Sequence, residues 1–396
     1  MPSLVAAAAI PLALSAAIGG YLYPTAKLLG IGKTVVPLNN DRCQTISGLY
    51  GCEDAWIDDQ HHLAYLPCTP LESRQAWLPA VLHLNSSALP AVSRDGIYLL
   101  DLNTHKHEKL KIRNMPPEAL NNLNLHAIEV YQSPSDRHRL TVFVNSHRPP
   151  KDRSLGPKVG ASSVIEIFET RMGDKELNWV KSVEHPLIRT PNNLVAMGER
   201  SFYVSNDHRY KVHWTRAFEQ LKQVPTDIIY CDASGSSPRC SVAADNILYP
   251  NGIARGPGQL LYQASCGEGK MNVYEIQSGD NSLVLVDSVK TPHLVDNLHV
   301  ARDGSITLAS FPSLLKLGEV FKTAGMDSNV VSPVEVYRVT NDTSSAQYLG
   351  SKYKVEKVFA DLGKTVSGAT TAAPYGNKLL LTGVMTDKVV ICEIPN

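Results

Sequence analysis

Short apolar runs separated by turn residues fill most of the chain after its first two dozen residues. Within these runs apolar and polar residues alternate, β-branched residues are frequent, and Gly, Asp, Asn or Pro stands at the boundaries, as in β-strands. Examples are Gly96–Asp101, Leu140–Asn145, Ser163–Phe168, Ser201–Ser205, Gln259–Gln263, Asn272–Ile276, Ser305–Ala309 and Lys378–Thr382. Convincing helical periodicity is rare, and Trp214–Lys222 is the best case. The pattern predicts a mostly β protein.

A loose repeat organises these strands. Six segments of roughly fifty residues each begin with a polar stretch and continue as strand, turn and strand. They begin at Glu53, His126, Asn192, Asn251, Asp296 and Val366. This array matches an all-β, six-bladed β-propeller better than a sandwich or two barrels. Because the strand starts of a propeller converge on its central tunnel, we expect polar residues from separate segments to meet there.

The stretch His293–Val300 places Asp296 and Asn297 side by side between apolar strand residues. Such oxygen-bearing side chains suit Ca²⁺, which takes about six to eight oxygen ligands. One pair alone is more simply an Asx turn at a strand end. Similar residues recur, however, at other segment starts: Glu53-Asp54, Asn192-Asn193 and Tyr249–Gly252. The recurrence favours a calcium site in the tunnel.

The N-terminal segment has a different composition, because residues 4–23 carry no charge. Its length suits a signal anchor, and the small residues around Ser15–Ala17 also suit signal cleavage, although a basic region before the apolar run is missing. A buried helix of a soluble protein would look the same. We expect residues 1–24 to form a hydrophobic helix that acts as a signal peptide or signal anchor. Residues 25–42 are then a linker, and residues 43–396 are the propeller domain.

Seven cysteines are consistent with an oxidising compartment, and none belongs to a CxxC motif of a zinc or thioredoxin-type site. Cys43 and Cys392 lie near the two ends of the predicted domain, so a disulfide between them would close the ring. The other expected pairs are Cys52 with Cys68 and Cys231 with Cys240, which leaves Cys266 unpaired. Asn85 and Asn341 open glycosylation sequons. These features predict a protein of the secretory pathway, extracellular or membrane-anchored.

Charge and the remaining motifs exclude several functions. The chain has 38 basic and 38 acidic residues, so it lacks the positive charge of a typical nucleic-acid binder. Neither Ser86-Ser87 nor Ser234 lies in a G-x-S-x-G motif, which argues against a serine-hydrolase triad. Gly252, Gly256 and Gly258 do not precede a helical pattern and therefore suit a turn better than a phosphate-binding loop.

Eight short motifs, in shared order and spacing, resemble the serum paraoxonase/arylesterase family over about Cys43 to Cys392. They are Gly51–Asp54, Leu125–Ile128, Val144–His147, Asn192–Gly198, Ser205–His208, Pro250–Ile253, Leu294–Asn297 and Val390–Glu393. The resemblance implies a six-bladed propeller with two calcium ions in its tunnel. It also implies an N-terminal segment that can be retained for binding to a membrane or lipoprotein.

The resemblance assigns site residues by their positions in these motifs. It implies a catalytic calcium ion whose ligands are Glu53, Asn192, Asn251, Asp296 and Asn297. The implied ligands of a structural calcium ion are Asp54, the backbone carbonyl of Ile128 and residue 193. Residue 193 is Asn here, where the family usually has Asp, so weaker binding of the structural ion is expected. Phe311 stands where a histidine is frequent, which leaves the substrate preference open.

The implied activity is hydrolysis of lactones and aryl esters. A calcium ion with an open position can polarise the carbonyl and stabilise the oxyanion, while a neighbouring base takes a proton from water. The resemblance gives His126 as this base and His147 as the residue that orients it; Glu53 and Asp296 are alternatives. Two other functions remain open: a non-catalytic paraoxonase-like propeller that assists membrane-protein assembly, and a gluconolactonase- or strictosidine-synthase-type propeller.

Overall fold

The computed structural model describes residues 15, 19–20, 23–216, 219, 224–341 and 352–395. The hydrophobic helix predicted within residues 1–24 lies almost entirely outside this range, as does Phe218 with most of the helix predicted at Trp214–Lys222. Within the described range, no helix is both long enough and apolar enough to cross a membrane.

Six sheets of four or five strands form the predicted propeller. Within each sheet, neighbouring strands are antiparallel, except for one parallel pair at the outer edge of the five-stranded sheet. The innermost strands also contact their neighbours around the ring, and the last contacts the first. This closed arrangement confirms the prediction of a six-bladed propeller and brings residues that are distant in sequence to one central tunnel.

The strands, numbered along the chain, divide into six blades. Blade 1 contains β2 (Trp56–Asp58), β3 (Leu63–Cys68), β6 (Gly96–Asp101) and β7 (His107–Lys109). Blade 2 contains β9 (Leu125–Gln132), β10 (Arg139–Arg148), β11 (Ser162–Arg171), β12 (Glu176–Val183) and, parallel to β12, β8 (Lys111–Arg113). Blade 3 contains β13 (Pro191–Gly198), β14 (Ser201–Asn206), β15 (Thr226–Asp232) and β16 (Arg239–Ile247).

The second half of the ring has the same order. Blade 4 contains β17 (Pro250–Arg255), β18 (Leu260–Ser265), β19 (Lys270–Ile276) and β20 (Leu283–Lys290). Blade 5 contains β21 (Leu294–Val300), β22 (Ile306–Phe311), β23 (Val334–Asn341) and β24 (Tyr353–Asp361). Blade 6 contains β25 (Thr371–Tyr375), β26 (Lys378–Thr382), β27 (Lys388–Glu393) and β1 (Cys43–Ser47). A separate small hairpin joins β4 (Trp77–Leu78) to β5 (His83–Leu84).

Helices are few and short. They are α1 (Tyr23–Leu28), α2 (Leu71–Ala76), α3 (Pro117–Leu120), α4 (Gly156–Val159) and α5 (Leu314–Thr323), with single 3₁₀ turns at Pro79–Val81, Ser86–Ala88 and Arg153–Leu155. α5 was not predicted from the sequence, although Leu314, Leu317 and Phe321 follow helical spacing. The helix ends at Ala324, which has a left-handed φ of 49° and precedes Gly325.

Apolar side chains from neighbouring blades pack face to face. Between blades 2 and 3, for example, Phe143, Ile167 and Phe202 belong to one buried cluster, and the rings of Phe143 and Phe202 lie 5.6 Å apart. Both faces of an inner strand are therefore covered by protein. This explains why strand segments such as Leu140–Val144 consist mostly of apolar residues. This inter-blade packing holds the polar tunnel at the centre of the ring.

The N-terminal strand closes the ring. β1 pairs with β27 as the outermost strand of blade 6, and Cys43 lies directly opposite Cys392, to which it is disulfide-bonded. The Cys52–Cys68 and Cys231–Cys240 disulfides are present as predicted, and Cys266 is a buried free thiol within the described part of the chain. Blade 6 therefore combines strands from both ends of the chain.

The segment predicted to be a linker packs against the propeller. Leu38 exchanges both backbone hydrogen bonds with Ala360 at 2.9 Å. Lys33 forms an ion pair with the buried carboxylate of Glu335 at 2.5 Å. At Gly30, a Cβ atom would lie 1.7 Å from the carbonyl oxygen of Pro312, so only glycine permits this approach. These contacts place α1 against blade 5.

We predict that Cys43→Ala/Cys392→Ala will destabilise the fold more than Cys231→Ala/Cys240→Ala. The first bond joins residues 349 positions apart and the second only 9. The chain-entropy model then gives about 5–6 kcal/mol for the first bond and about 2.5 kcal/mol for the second. Denaturant unfolding of both variants without reductant measures the difference. Equal losses would show that closing the long loop adds no stability of its own.

Candidate active site

A bulge interrupts four of the six innermost strands near the start of each strand. In β9, β13, β17 and β21, two residues lie opposite a single residue of the neighbouring strand. The paired residues at these bulges are His126-Ala127, Asn192-Asn193, Asn251-Gly252 and Asp296-Asn297. A bulge leaves its extra residue outside the ladder and redirects side chains. Most of the polar residues that recur at segment starts in the sequence therefore lie at these bulges.

Four predicted calcium ligands come together at one end of the tunnel. Glu53, Asn192, Asn251 and Asp296 line a cavity of about 80 Å³. All four side chains are at least 95% buried. Asn251 also donates a side-chain hydrogen bond to Asp296. The structure thus brings together residues from blades 3, 4 and 5 and from the segment that precedes blade 1.

Three oxygen atoms at this cavity lack ordinary partners. Glu53 Oε2, Asn192 Oδ1 and Asn251 Oδ1 are buried and have no hydrogen-bond partner among the described residues. Buried oxygen atoms of this kind are costly unless a donor or a cation satisfies them. Three such atoms at one cavity form an oxygen-rich site whose composition matches that of a hard cation site.

Asn297, the fifth predicted ligand, is oriented differently. Its Nδ2 atom donates to Glu53 Oε1 at 2.7 Å, while its Oδ1 atom accepts from Asn193 Nδ2 at 2.9 Å. In this structure Asn297 therefore holds the Glu53 carboxylate by a hydrogen bond. Gly252 permits this packing of β17 against β21, since a Cβ atom there would lie 2.7 Å from the Cα atom of Asn297.

Burial disfavours the charged forms of the Glu53 and Asp296 carboxyl groups. Burial, followed by the proximity of Asp54 and Asp296, raises the pKa of Glu53 well above its usual value. Burial and Asp54 likewise raise the pKa of Asp296. The positive charge of the buried Arg74 opposes this rise at Glu53, and burial lowers the pKa of Arg74 itself to about 10. Its Nη2 atom donates to the carbonyl oxygen of Gly51 at 3.0 Å. Arg74 was not predicted from the sequence, because it lies in no recognisable motif.

No group of three or more His, Cys, Asp or Glu side chains suited to a metal occurs in the described ranges. The site at Glu53 and Asp296 has only two carboxylates, and its other candidate donors are asparagine oxygens. A donor set of carboxylate and neutral amide oxygens is typical of Ca²⁺, whereas Zn²⁺ sites usually include Cys or His ligands. The composition of the donor set therefore favours a hard cation.

The residues predicted to bind a structural calcium also lie together, but hydrogen bonds already connect them. Asn193 Nδ2 donates to Asp54 Oδ2 at 3.1 Å, and the backbone N–H of Ile128 donates to the same oxygen at 3.4 Å. Asp54 faces a second cavity, of about 350 Å³, which residues farther along the inner strands line. There, burial and Asp54 raise the pKa of Glu129 to about 8.

The two predicted catalytic histidines lie beside the first cavity. The rings of His126 and His147 are 5.2 Å apart, and His126 Nε2 lies 3.9 Å from Glu53 Oε1. His147 Nδ1 is 2.9 Å from the hydroxyl of Ser163, and Trp77 Nε1 donates to the His147 carbonyl oxygen at 2.6 Å. Burial lowers the pKa of both rings, to about 4 for His147. Both are therefore neutral at physiological pH.

Apolar side chains form the rest of the cavity wall. They come from β22 and α5, from the segments around Leu78 and Val384, and from Tyr249 and Cys266. Phe311 is one of them, so at this position the chain has an apolar ring in place of the frequent histidine. Leu28 and Leu29 of the N-terminal segment pack against the buried cluster that contains Phe311, Leu317 and Cys266. The cavity thus combines an oxygen-rich floor with an apolar wall.

The two predicted glycosylation sites lie away from the tunnel. Asn85 and Asn341 are both exposed. Asn85 precedes a 3₁₀ turn, and Asn341 ends β23 at the outer part of blade 5. Thr343, which completes the second sequon, lies outside the described residues. The exposure of both asparagines is compatible with glycosylation, which stays a prediction.

Fold and site together define a six-bladed propeller with a buried, oxygen-rich pocket at one end of its tunnel. The Arylesterase family model matches residues 75–394, and the chain belongs to this family. This membership also separates it from gluconolactonase- and strictosidine-synthase-type propellers, the third function left open by the sequence.

The chain is 29% identical to serum paraoxonase/arylesterase 1 of Homo sapiens over 237 residues, which is 59% of this chain and 62% of that protein. It is 26% identical to serum paraoxonase/lactonase 3 of Homo sapiens over 305 residues, or 75% of this chain and 76% of that protein. Among solved structures, the Malassezia sympodialis allergen Mala s 1 has a TM-score of 0.51 at 10% identity, covering 90% of this chain and 96% of that chain. This last similarity shows the fold alone.

We predict that the free energy of unfolding of His147→Gln will fall less steeply than that of wild type as the pH decreases from about 6.5 to about 4. Burial lowers the pKa of His147 to about 4 in the folded state. The unfolded chain then binds more protons than the folded chain in this window, so stability is complete above it and falls as pH falls. The contribution is up to about 3 kcal/mol.

Denaturant unfolding of wild type and variant across this pH range measures the effect. The exposed His213 provides the control, since His213→Gln should leave the slope unchanged. Parallel curves for wild type and His147→Gln would contradict the prediction.

Proposed function

We propose that the chain is a calcium-dependent hydrolase of lactones and aryl esters. The observation that carries the proposal is the set of three buried oxygen atoms, on Glu53, Asn192 and Asn251, that lack hydrogen-bond partners among the described residues. A divalent cation at this cavity would satisfy them and offset the buried charge of Glu53 and Asp296. Family membership and the names of the two human relatives support this choice of reaction.

The ligands that we propose are Glu53, Asn192, Asn251 and Asp296. Asn297 would act as a fifth ligand if its side-chain amide rotates; in its observed orientation it positions Glu53. A calcium ion bound there supplies a Lewis acid for the substrate carbonyl and positive charge for the developing oxyanion. The resemblance also implies a second ion at Asp54, Ile128 and Asn193, but the proposed function requires only the first ion.

His126 is the proposed general base. Its ring is neutral at physiological pH, because burial lowers its pKa, and it can therefore accept a proton from water. His126 Nδ1 has no hydrogen-bond partner in the described ranges, and His126 belongs to the lining of the cavity. We propose that His147, whose Nδ1 atom lies 2.9 Å from the Ser163 hydroxyl, orients His126 through the edge-to-face contact of the two rings. Glu53 or Asp296 is the alternative base.

We propose that the apolar wall binds the acyl or aryl part of the substrate and so orients its carbonyl group. Phe311, Leu314 and Phe321 line the same cavity as the oxygen-bearing residues. An acyl chain or aryl ring that packs against them would leave the carbonyl facing Glu53, Asn251 and His126. Removal of water from this contact strengthens the electrostatic interactions at the floor.

The cellular location is proposed on separate grounds. Three disulfides are formed in the structure, and one of them closes the propeller ring. Disulfides persist in oxidising compartments and are rare in the cytosol. Together with the uncharged residues 4–23, they support entry to the secretory pathway.

We predict that the purified chain will hydrolyse a panel of small lactones and phenyl esters in the presence of calcium, and that a chelator will abolish the activity reversibly. Asp296→Asn keeps the size of the side chain but removes one charged ligand. It should lower kcat/KM by about 10³-fold or more, because loss of an electrophilic metal removes several kcal/mol of transition-state stabilisation. Asp280→Asn, in an exposed turn, serves as the matched control.

Initial rates and metal analysis on the same samples decide the outcome. Calcium-independent turnover would overturn the proposed role of the metal. If no member of the panel is hydrolysed although calcium is bound, the non-catalytic propeller that assists membrane-protein assembly becomes the better hypothesis.

We predict that His126→Gln will retain calcium and lose about 10²–10⁴-fold in kcat/KM, the range typical of a lost general base. The pH–rate profile of the variant should also lose the limb that reports ionisation of this base. Calcium content by metal analysis shows that the site is intact. Activity within a few-fold of wild type would assign the base to Glu53 or Asp296 instead.

A further inference from the structure

The resemblance implies a second cation among Asp54, Ile128 and Asn193, and the carboxamide of Asn193 is already hydrogen-bonded there. Asn193 is 5% exposed and lies in the bulge of β13. Its Nδ2 atom donates to Asp54 Oδ2 at 3.1 Å and to Asn297 Oδ1 at 2.9 Å. One amide group therefore links the segment before blade 1 to blade 5. A bound cation would make the same kind of bridge between two oxygen atoms.

Backbone contacts determine the orientation of this amide. Asn193 Oδ1 accepts from the backbone N–H of Leu194 at 2.8 Å and, more weakly, from that of Ile253 at 3.5 Å. If the amide were reversed, its NH₂ group would face these two N–H donors and its oxygen would face two acceptor oxygens. The oxygen of Asn193 is therefore not free to bind a cation.

Asp54 is likewise already satisfied. Its Oδ1 atom accepts from the backbone N–H of Ala55 at 2.8 Å and from the Thr371 hydroxyl at 3.3 Å. Its Oδ2 atom accepts from Asn193 and from the Ile128 backbone N–H. On the side of the second cavity, His299 Nε2 lies 3.4 Å from Asp54 Oδ1 without forming a hydrogen bond. Each oxygen atom of this carboxylate thus accepts two hydrogen bonds from protein donors.

The contrast with the first site supports a difference in function. At Glu53, Asn192 and Asn251, buried oxygen atoms lack partners in the described part of the chain, whereas the oxygen atoms of Asp54 and Asn193 are all bonded. The residues at 54, 128 and 193 do not fit a calcium ion, which needs about six to eight free oxygen ligands. We propose that this chain binds one cation in its tunnel and that the amide of Asn193 replaces the second.

This inference rests on the proposed function for the first cation only. The test is the number of calcium ions bound per chain at saturation, measured by equilibrium dialysis with metal analysis. We expect one ion for wild type. Asn193→Asp exchanges the NH₂ donor for an oxygen and adds a negative charge beside Asp54, so it should bind a second ion and show a larger rise of Tm with calcium than wild type.

Two further variants keep the test decisive. Asn272→Asp makes the same exchange at a buried position in blade 4, where Asn272 Nδ2 donates to Gln263 Oε1, and it should bind one ion. If Asn193→Asp does not fold, Asp54→Asn provides the second measurement, because it removes a carboxylate that we infer is not a ligand. This variant should retain the single ion.

The outcomes separate the two proposals. Two ions in wild type, or loss of an ion in Asp54→Asn, would overturn the inference while leaving the hydrolase proposal intact. A single ion in folded Asn193→Asp would also overturn it, because residue 193 would then not decide the stoichiometry. No bound calcium in wild type would instead overturn the proposed function itself.

Discussion

The bulges of the innermost strands are the constraint on which the site depends. In a regular strand, consecutive side chains point to opposite faces, and in this propeller both faces pack against neighbouring blades. A polar pair such as Asp296-Asn297 would then place one side chain in an apolar interface. The bulge removes both residues from the ladder, so that both can take part in the polar network of the tunnel. Four strands use the same device, and their bulges converge because the blades are arranged radially.

The convergence concentrates negative charge in a region of low dielectric constant. Glu53, Asp54 and Asp296 are all buried there, and the positive charge of the buried Arg74 acts on Glu53. Isolated carboxylates in such a place either bind protons or require a positive partner. The chain uses two solutions. Asp54 accepts hydrogen bonds from protein donors at both oxygen atoms, whereas Glu53 Oε2 has no partner among the described residues and lies with Asp296 at a cavity that a divalent cation would suit.

The N-terminal segment and α5 connect this charged centre to the periphery of the molecule. α5 contributes Leu314, Leu317 and Phe321 to the wall of the cavity. Leu28 and Leu29 pack against the cluster that contains Phe311 and Leu317, and the backbone N–H of Leu314 donates to the Leu29 carbonyl oxygen at 3.1 Å. Lys33 forms an ion pair with Glu335 of blade 5. Residues 28–33 are consequently part of the environment of the site.

The sequence by itself determined the fold class, the positions of most strands and the disulfide that closes the ring. These features follow from local patterns: alternating apolar residues predict strands, and cysteines near both ends, together with a repeated segment, predict a closed ring. Polar residues at the starts of segments also indicated the tunnel, and the resemblance to a family assigned their roles. The same reasoning could have predicted α5, because Leu314, Leu317 and Phe321 have helical spacing in the sequence.

Only the tertiary structure decided how the polar residues share their hydrogen bonds. Asn192, Asn193 and Asn297 are chemically alike, and nothing in the sequence shows that Asn192 keeps a free oxygen while Asn193 donates to Asp54 and Asn297. Arg74, in a short helix without a motif, is buried close to Glu53 for the same kind of reason. An amide can donate or accept, and a charged side chain can lie in solvent or under a site. Which of these occurs depends on partners contributed by other blades, and the closed ring brings those partners together.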